Sequence, residues 1–181
     1  MKVTTASALA VRIAEAACVT DAFTLADGQV LDSYFDEYRL AADPQLLHDV
    51  ADAMAALVPE DAKVLAGIEL GGVPLVIALS AATGLPAAFL RRLPKRYGSK
   101  RQIEGTSIEG RRVVLVDDVV RSGGQLAGMA RILRKAGAEV TDALCVLERP
   151  LGGRLLLEEQ KMTLRSLLTE SDLASPAEAR S

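Results

Sequence analysis

Apolar and polar positions along this chain follow three successive rhythms. From Ser7 to Ala17 apolar side chains recur at helical spacing, which predicts an amphipathic helix. Two short runs follow, Ala22–Leu25 and Val30–Tyr38, on either side of Asp27-Gly28. Paired runs around an Asp-Gly turn predict a β-hairpin. Asp43 then caps a second helix, with Pro44 at its first position, and the helix runs to about Leu57 before Pro59 closes it.

Beyond Pro59 the rhythm becomes strand, glycine, helix. The apolar run Val64–Leu70 ends in Gly71-Gly72, and a helix over Val73–Ala82 stops at Gly84. Ala87–Leu90 reads as a strand, followed by a polar, basic stretch over Arg91–Gly110. Val113–Val116 is a strand that meets Asp117-Asp118. Gly123–Ala136 is helical and stops at Gly137, and Val140–Leu147 is again a strand. A short helix near Leu155–Gln160 and a strand at Thr163–Leu168 complete the pattern, and a small polar tail, Ala174–Ser181, frays. Alternating β and α units predict an α/β fold with a mostly parallel sheet and helices on both faces.

Composition narrows the picture. The chain has 181 residues, enough for one domain with a sizeable core. Half the residues are apolar but only 3% are aromatic, so Ala, Val, Leu and Ile must fill that core. A net charge of −3 argues against a surface that coats nucleic acid. The start of the chain lacks a signal-peptide pattern, and no apolar stretch reaches membrane-spanning length, so a cytoplasmic location is expected. Cys18 and Cys145 sit in apolar runs without a metal or redox motif and are expected as reduced, buried thiols. His48, the one histidine, is expected on a helix surface, Glu158-Glu159 on a solvated helix face, and Met129 and Met162 in the core.

Candidate chemistry gathers in three segments. The first runs from Val113 through Asp117, Asp118, Val119, Val120, Arg121, Ser122, Gly123 and Gly124 to Gln125. Here a hydrophobic strand ends in two acids, and a glycine-containing loop leads into a helix. In open α/β sheets ligands bind at the carboxyl ends of strands. A loop feeding a helix N-terminus there aims N–H groups at an anion, and glycine lets the backbone approach it. The acids suit ribose hydroxyls, a Mg²⁺ beside the phosphate, or the positive charge that develops at an anomeric carbon. Turn and cap propensity alone also produces Asp and Gly at such a place. The second segment, Ala66–Pro74, with Glu69, Gly71 and Gly72, can form another anion loop or merely a tight turn. No G-x-G-x-x-G follows a strand and no Walker A lysine is present. The third segment carries Arg91, Arg92, Lys95, Arg96, Lys100 and Arg101 with no acid among them. It is a solvated loop or a mobile lid that brings cations over a pyrophosphate, with Gly98 and Gly105 as flexible points.

These segments, in this order, resemble the orotate phosphoribosyltransferase family of the type I phosphoribosyltransferase superfamily, over roughly Phe23–Leu173. The resemblance rests on Ser33–Arg39, Gly67–Pro74, the lid pattern from Leu90 through Lys95 and Tyr97-Gly98 to Gly105, Val113–Gly124, Leu147–Arg149 and Ser166–Leu173. It implies transfer of the 5-phosphoribosyl group of phosphoribosyl pyrophosphate (PRPP) to orotate with Mg²⁺, giving orotidine 5′-monophosphate and pyrophosphate. It also implies one domain, with a hood from about residues 1–42 and 150–173 around a core at about 43–149. By the same resemblance, Lys95, Asp117 and Asp118 are catalytic, the two acids meeting Mg²⁺ only through PRPP. Arg91, Arg92, Tyr97, Glu69, Gly71, Gly72 and Val119 through Gln125 bind PRPP, with Ser122, Gly123 and Gly124 on the 5-phosphate. Tyr34, Phe35 and Arg149 hold the base. Family members are homodimers that share the lid across the interface.

The sequence departs from the family pattern at Ala26-Asp27, where the family has Lys-Ser, and at Arg121, Ser122 and Gln125 of the phosphate loop. PRPP handling is retained. Transfer to another nucleobase, or a regulator that binds PRPP with little catalysis, stands as the alternative.

Overall fold

The computed structural model describes residues 5–19, 23–24, 30–31, 34–93 and 102–173. The chain begins with helix α1 (Thr5–Ala17) and then forms short antiparallel ladders. β1 (Cys18–Val19) pairs with β4 (Tyr34–Phe35), and β2 (Phe23–Thr24) pairs with β3 (Val30–Leu31). The expected hairpin is therefore present as β2–β3. The run Val30–Tyr38 is not one strand, because Tyr34-Phe35 turns to β1 and helix α2 (Glu37–Ala42) begins where the strand was expected to end. Asp36 explains the switch. Its carboxylate accepts hydrogen bonds from the backbone N–H of Tyr38 and Arg39, a side-chain cap that competes with strand continuation. Asp43 caps α3 (Pro44–Ala55) in the same way, with Pro44 in the first turn as expected.

The main sheet has the strand order β10-β9-β8-β5-β6-β7. Its members are β5 (Val64–Ile68), β6 (Ala87–Leu90), β7 (Ile103–Gly105), β8 (Arg112–Val120), β9 (Glu139–Glu148) and β10 (Thr163–Thr169). All neighbours are parallel except β6–β7, which makes the sheet mostly parallel. Helices α4 (Gly72–Thr83), α5 (Gly124–Lys135) and α6 (Gly153–Glu159) connect the strands, and α7 (Glu170–Leu173) follows β10.

Three strand boundaries differ from expectation. β5 stops at Ile68 rather than Leu70, and the Glu69-Leu70 peptide bond is cis. β7 lies within the stretch Arg91–Gly110 that was read as loop; its three residues are too few for periodicity to show. β8 runs on from Val116 through both acids to Val120, because β9 continues beside it and pairs Asp117 with Cys145 and Val120 with Glu148.

Side chains alternate across the sheet and divide the core in two. Val64, Ala66, Ile68, Val113, Leu115, Ala143 and Cys145 pack with Leu126, Ala130, Leu133 and Leu157 from α5 and α6. Leu65, Val114, Val116, Leu144 and Val146 face Ile13, Leu46, Val50, Met54, Val76 and Leu79 from α1, α3 and α4. Met129 and Met162 are buried, as expected. Cys145 is buried, and desolvation pushes its thiol up, whereas Cys18 is only half-buried. His48 is exposed and sits 3.5 Å from Asp52. Among the described residues no helix is long and apolar enough to cross a membrane.

Candidate active site

The carboxyl ends of β5 and β8 open into a cavity of about 230 Å³. Its floor is the strand end Asp117, Asp118, Val119 and Val120 together with the turn Arg121–Gly123 and the first residues of α5. Gly123 adopts φ +73°, a left-handed backbone that glycine takes without steric cost. The other walls are Glu69, Leu70 and Gly71 after β5, Arg92 after β6, and Tyr34, Glu37 and Tyr38 from β4 and α2.

Tight backbone packing fixes the turn. A Cβ on Gly153, the first residue of α6, would fall 2.4 Å from the Arg121 carbonyl oxygen, and one on Gly123 would fall 2.8 Å from the Gly153 carbonyl oxygen. The phosphate-loop backbone and the start of α6 therefore touch without side chains between them. A Gly153→Ala variant is expected to displace the Arg121–Gly123 turn and raise the apparent KM for PRPP about tenfold, since misplacing a binding group by a fraction of an ångström is costly. Steady-state kinetics with PRPP varied checks this.

Asp117 is almost wholly buried, 5% exposed. Its carboxylate accepts hydrogen bonds from the Asp118 backbone N–H at 3.2 Å and from the Gln125 side-chain amide at 3.3 Å. Burial, reinforced by the neighbouring charge of Asp118, pushes its carboxyl well above the usual range. Asp118 takes the Val119 N–H at 2.7 Å. Gln125, expected among the PRPP contacts, thus also serves to hold Asp117.

Gly71 owes its identity to these acids. A Cβ there would stand 1.9 Å from Asp118 Oδ2 and 3.0 Å from Glu37 Cγ, so the carboxylate of Asp118 lies against the Gly71 backbone. Gly72 is pressed on the other side, 2.6 Å from the Val116 carbonyl oxygen by the same construction.

The basic segment is anchored at both ends. Glu69 Oε1 accepts the Arg92 N–H at 2.6 Å, and the Glu69 carbonyl accepts Arg92 Nε at 3.2 Å. Arg91 N–H donates to the Gln102 carbonyl at 2.9 Å, while the Gln102 side chain donates to the carbonyls of Arg91 and Arg92. The two ends of the 94–101 segment are thereby held together beside the cavity. Lys95 and Tyr97, like Ala26 and Asp27, lie outside the described residues.

Not every expected residue reaches the cavity. Phe35 is 1% exposed and belongs to the core beneath α1 and α3, because strand alternation sends it opposite to Tyr34. Arg149 is fixed by its backbone N–H to the Val120 carbonyl at 2.8 Å, but its guanidinium pairs with Glu170 on α7 and does not line the cavity. Gly72 and Arg91 stand behind the walls rather than on them.

Leu70 and Leu126 line the cavity without having been anticipated, and so do Glu37 and Tyr38. Nothing in a short polar run after Phe35 marks them, although the Asp36 cap is the signal that a helix starts there. The Tyr34 hydroxyl donates to Glu37 Oε2 at 3.3 Å. Burial, with Asp118 nearby, raises the Glu37 carboxyl, and burial beside Glu37 raises the Tyr34 phenol.

A turn suited to an anion, two adjacent acids and Arg92 thus meet at one end of one sheet. Comparison with known proteins gives the same picture. Residues 38–167 match the phosphoribosyl transferase domain. An orotate phosphoribosyltransferase of a Nocardioides species is 42% identical over 166 residues, covering 91% of this chain and 93% of its own. That of Methanopyrus kandleri is 41% identical over 159 residues, covering 88% and 86%. Among solved structures, orotate phosphoribosyltransferase from Aeropyrum pernix superposes with a TM-score of 0.82 at 27% identity, covering 96% of this chain and 99% of that one. The Mycobacterium tuberculosis protein in complex with PRPP superposes with a TM-score of 0.80 at 25% identity, covering 94% and 99%.

Proposed function

The chain belongs to the phosphoribosyltransferase family, and on that premise we propose that it transfers the 5-phosphoribosyl group of PRPP to orotate, yielding orotidine 5′-monophosphate and pyrophosphate. The observation that carries the reading is the cavity in which the Arg121–Gly123 turn adjoins the pair Asp117-Asp118. The turn and the N-terminus of α5 take the 5-phosphate, with Ser122, Gly123 and Gly124 around it. The ribose hydroxyls then fall to the acids at the end of β8.

In the reaction the anomeric C–O bond to pyrophosphate breaks and a C–N bond to the ring nitrogen forms. Positive charge rises on the ribosyl carbon between these events. Asp117 and Asp118 stabilise it from fixed positions, which is effective because a preorganised charge need not reorient as the reaction proceeds. Arg92, Arg91, Lys95 and Tyr97 receive the departing pyrophosphate, with the basic segment as a lid that excludes water.

Mg²⁺ fits this arrangement as a companion of the substrate. Among the described residues no group of three or more His, Cys, Asp or Glu side chains is placed to hold a metal. Asp117 and Asp118 offer too few ligands to hold the ion by themselves, which suits an ion carried mainly by phosphate oxygens and water. When bound, Mg²⁺ supplies charge neutralisation to the pyrophosphate. Tyr34 lies beside the acceptor ring, and Arg149 reads orotate once its guanidinium is free of Glu170. A homodimer in which the lid serves the partner's cavity, and a cytoplasmic location, complete the proposal.

Pyrophosphate release is the direct test. With PRPP and Mg²⁺ it is expected to depend on added orotate and to yield orotidine 5′-monophosphate in equal amount. PRPP binding without orotate turnover would overturn the reading.

A further inference from the structure

We propose that Glu37 determines acceptor specificity, its carboxylate accepting a hydrogen bond from a ring N–H of the acceptor. This rests on the transfer reading above and extends it to a residue that the motif comparison did not single out. Glu37 is the first residue of α2, placed there by the Asp36 cap, and it lines the cavity with Tyr34 and Tyr38. It faces Asp118 across Gly71, since both side chains lie within 3.0 Å of the position a Cβ on that glycine would take. One of its oxygens, Oε2, already accepts the Tyr34 hydroxyl.

Charge decides what Glu37 meets. Besides Asp117, Asp118 and Glu69, whose carboxylate already accepts the Arg92 N–H, the charged groups of the cavity are Arg92 and Arg121, which with the N–H groups of the turn suit phosphate. A phosphate group against Glu37 would be repelled, as would the diphosphate of PRPP. The ribose hydroxyls are placed at Asp117 and Asp118. What remains is the acceptor, and the part of a ring that a partly buried carboxylate favours is an N–H. Glu37 stands against Asp118 across Gly71 in the cavity wall, so a further donor at this point is favoured twice, by the bond gained and by the repulsion eased. The ligand class is a pyrimidine-dione whose imide N–H remains free while another ring nitrogen attacks the ribose. An acceptor with a methyl group or a lone pair at that edge leaves Glu37 unsatisfied and is rejected.

The test compares orotate with an analogue methylated at the ring N–H remote from the reacting nitrogen. The wild-type protein is expected to favour orotate by about tenfold or more in kcat/KM, the scale of one hydrogen bond to a charged group. In Glu37→Leu that preference should fall to within about twofold, while the KM for PRPP stays within about threefold of wild type. Glu37→Ala provides the same reading should leucine disturb α2. A variant that keeps the wild-type preference overturns the proposal, as does a lost preference accompanied by an equal loss of PRPP affinity. Absence of any turnover on orotate would strike the transfer reading instead. Glu37 is then judged by equilibrium binding of the two ring compounds, where equal wild-type affinities overturn it.

Discussion

Replacing Asp117 with Asn is expected to lower kcat by about 10²–10³, the usual scale for removing one preorganised electrostatic contact at a charged transition state, and at the same time to raise thermal stability. Asn keeps the shape of the side chain and an oxygen for the Asp118 N–H, and its NH2 meets the Gln125 side-chain oxygen once that amide turns over, so the main change is loss of negative charge. The stability gain follows from burial. Asp117 is nearly inaccessible to water and has Asp118 beside it, which raises its folded-state pKa. In the unfolded chain the group ionises at about pH 4. Between that value and the raised folded value, the native state binds the proton more tightly than the unfolded state does, so native stability declines as pH rises. Asn is free of that loss. The melting temperature of Asp117→Asn should match wild type near pH 4 and exceed it by a few degrees near neutrality, about 3 °C for each kcal/mol relieved. Melting curves across that pH range check the sign, and a shift equal at every pH would refute the burial argument. The trade of stability for activity is the common signature of a charge held where function needs it.

The second large effect is expected at Gly71. Its backbone is ordinary, with φ −63° and ψ −34°, so alanine brings no conformational strain there. The difficulty is chiefly the 1.9 Å approach to Asp118 Oδ2, with the flexible Glu37 side chain at 3.0 Å having to give slightly. Asp118 must swing its carboxylate away, which breaks the bond to the Val119 N–H and moves the charge within the cavity. A shifted side chain costs the fold little. Gly71→Ala should therefore remain within about 1 kcal/mol of wild-type stability, because no backbone or core atom is displaced, yet lose about 10² in kcat/KM. A variant as active as wild type would show that the seat of Asp118 is not needed. Urea unfolding beside steady-state kinetics separates the two readouts.

These two residues also show what the sequence disclosed and what it withheld. The parallel sheet was legible because short apolar runs alternate with helices, two of which stop at glycine, and the turn before α5 because Gly123-Gly124 follows acids at a strand end. The reason for Gly71 was not. The sequence suggests a glycine for close approach of a ligand, whereas the structure places a carboxylate from β8 against it, a contact between segments far apart in the chain. The four β-favouring residues Val113–Val116 mark only part of β8; Asp-Asp disfavours strands by propensity, but pairing with β9 overrides that local preference. Glu37 was hidden because Tyr34-Phe35 continues the alternation of a strand, and only the cap on Asp36 ends it. Arg149 was placed by motif at the base, and its capture by Glu170 depends on where α7 packs after β10, which no local pattern encodes.

The extension of β8 has a consequence for how such a protein can change over time. Asp117 and Asp118 stand on a strand that β5 flanks as far as Val116 and β9 goes on pairing to Val120, and their positions are inherited from the sheet. Tyr34 and Glu37 stand on a two-residue ladder and the first turn of a six-residue helix. On the proposed roles, the chemistry of the sugar is written into the least negotiable part of the molecule, and recognition of the ring into one of the most replaceable. A lineage can try new acceptors on its margin while the ribose-handling strand stays as it is.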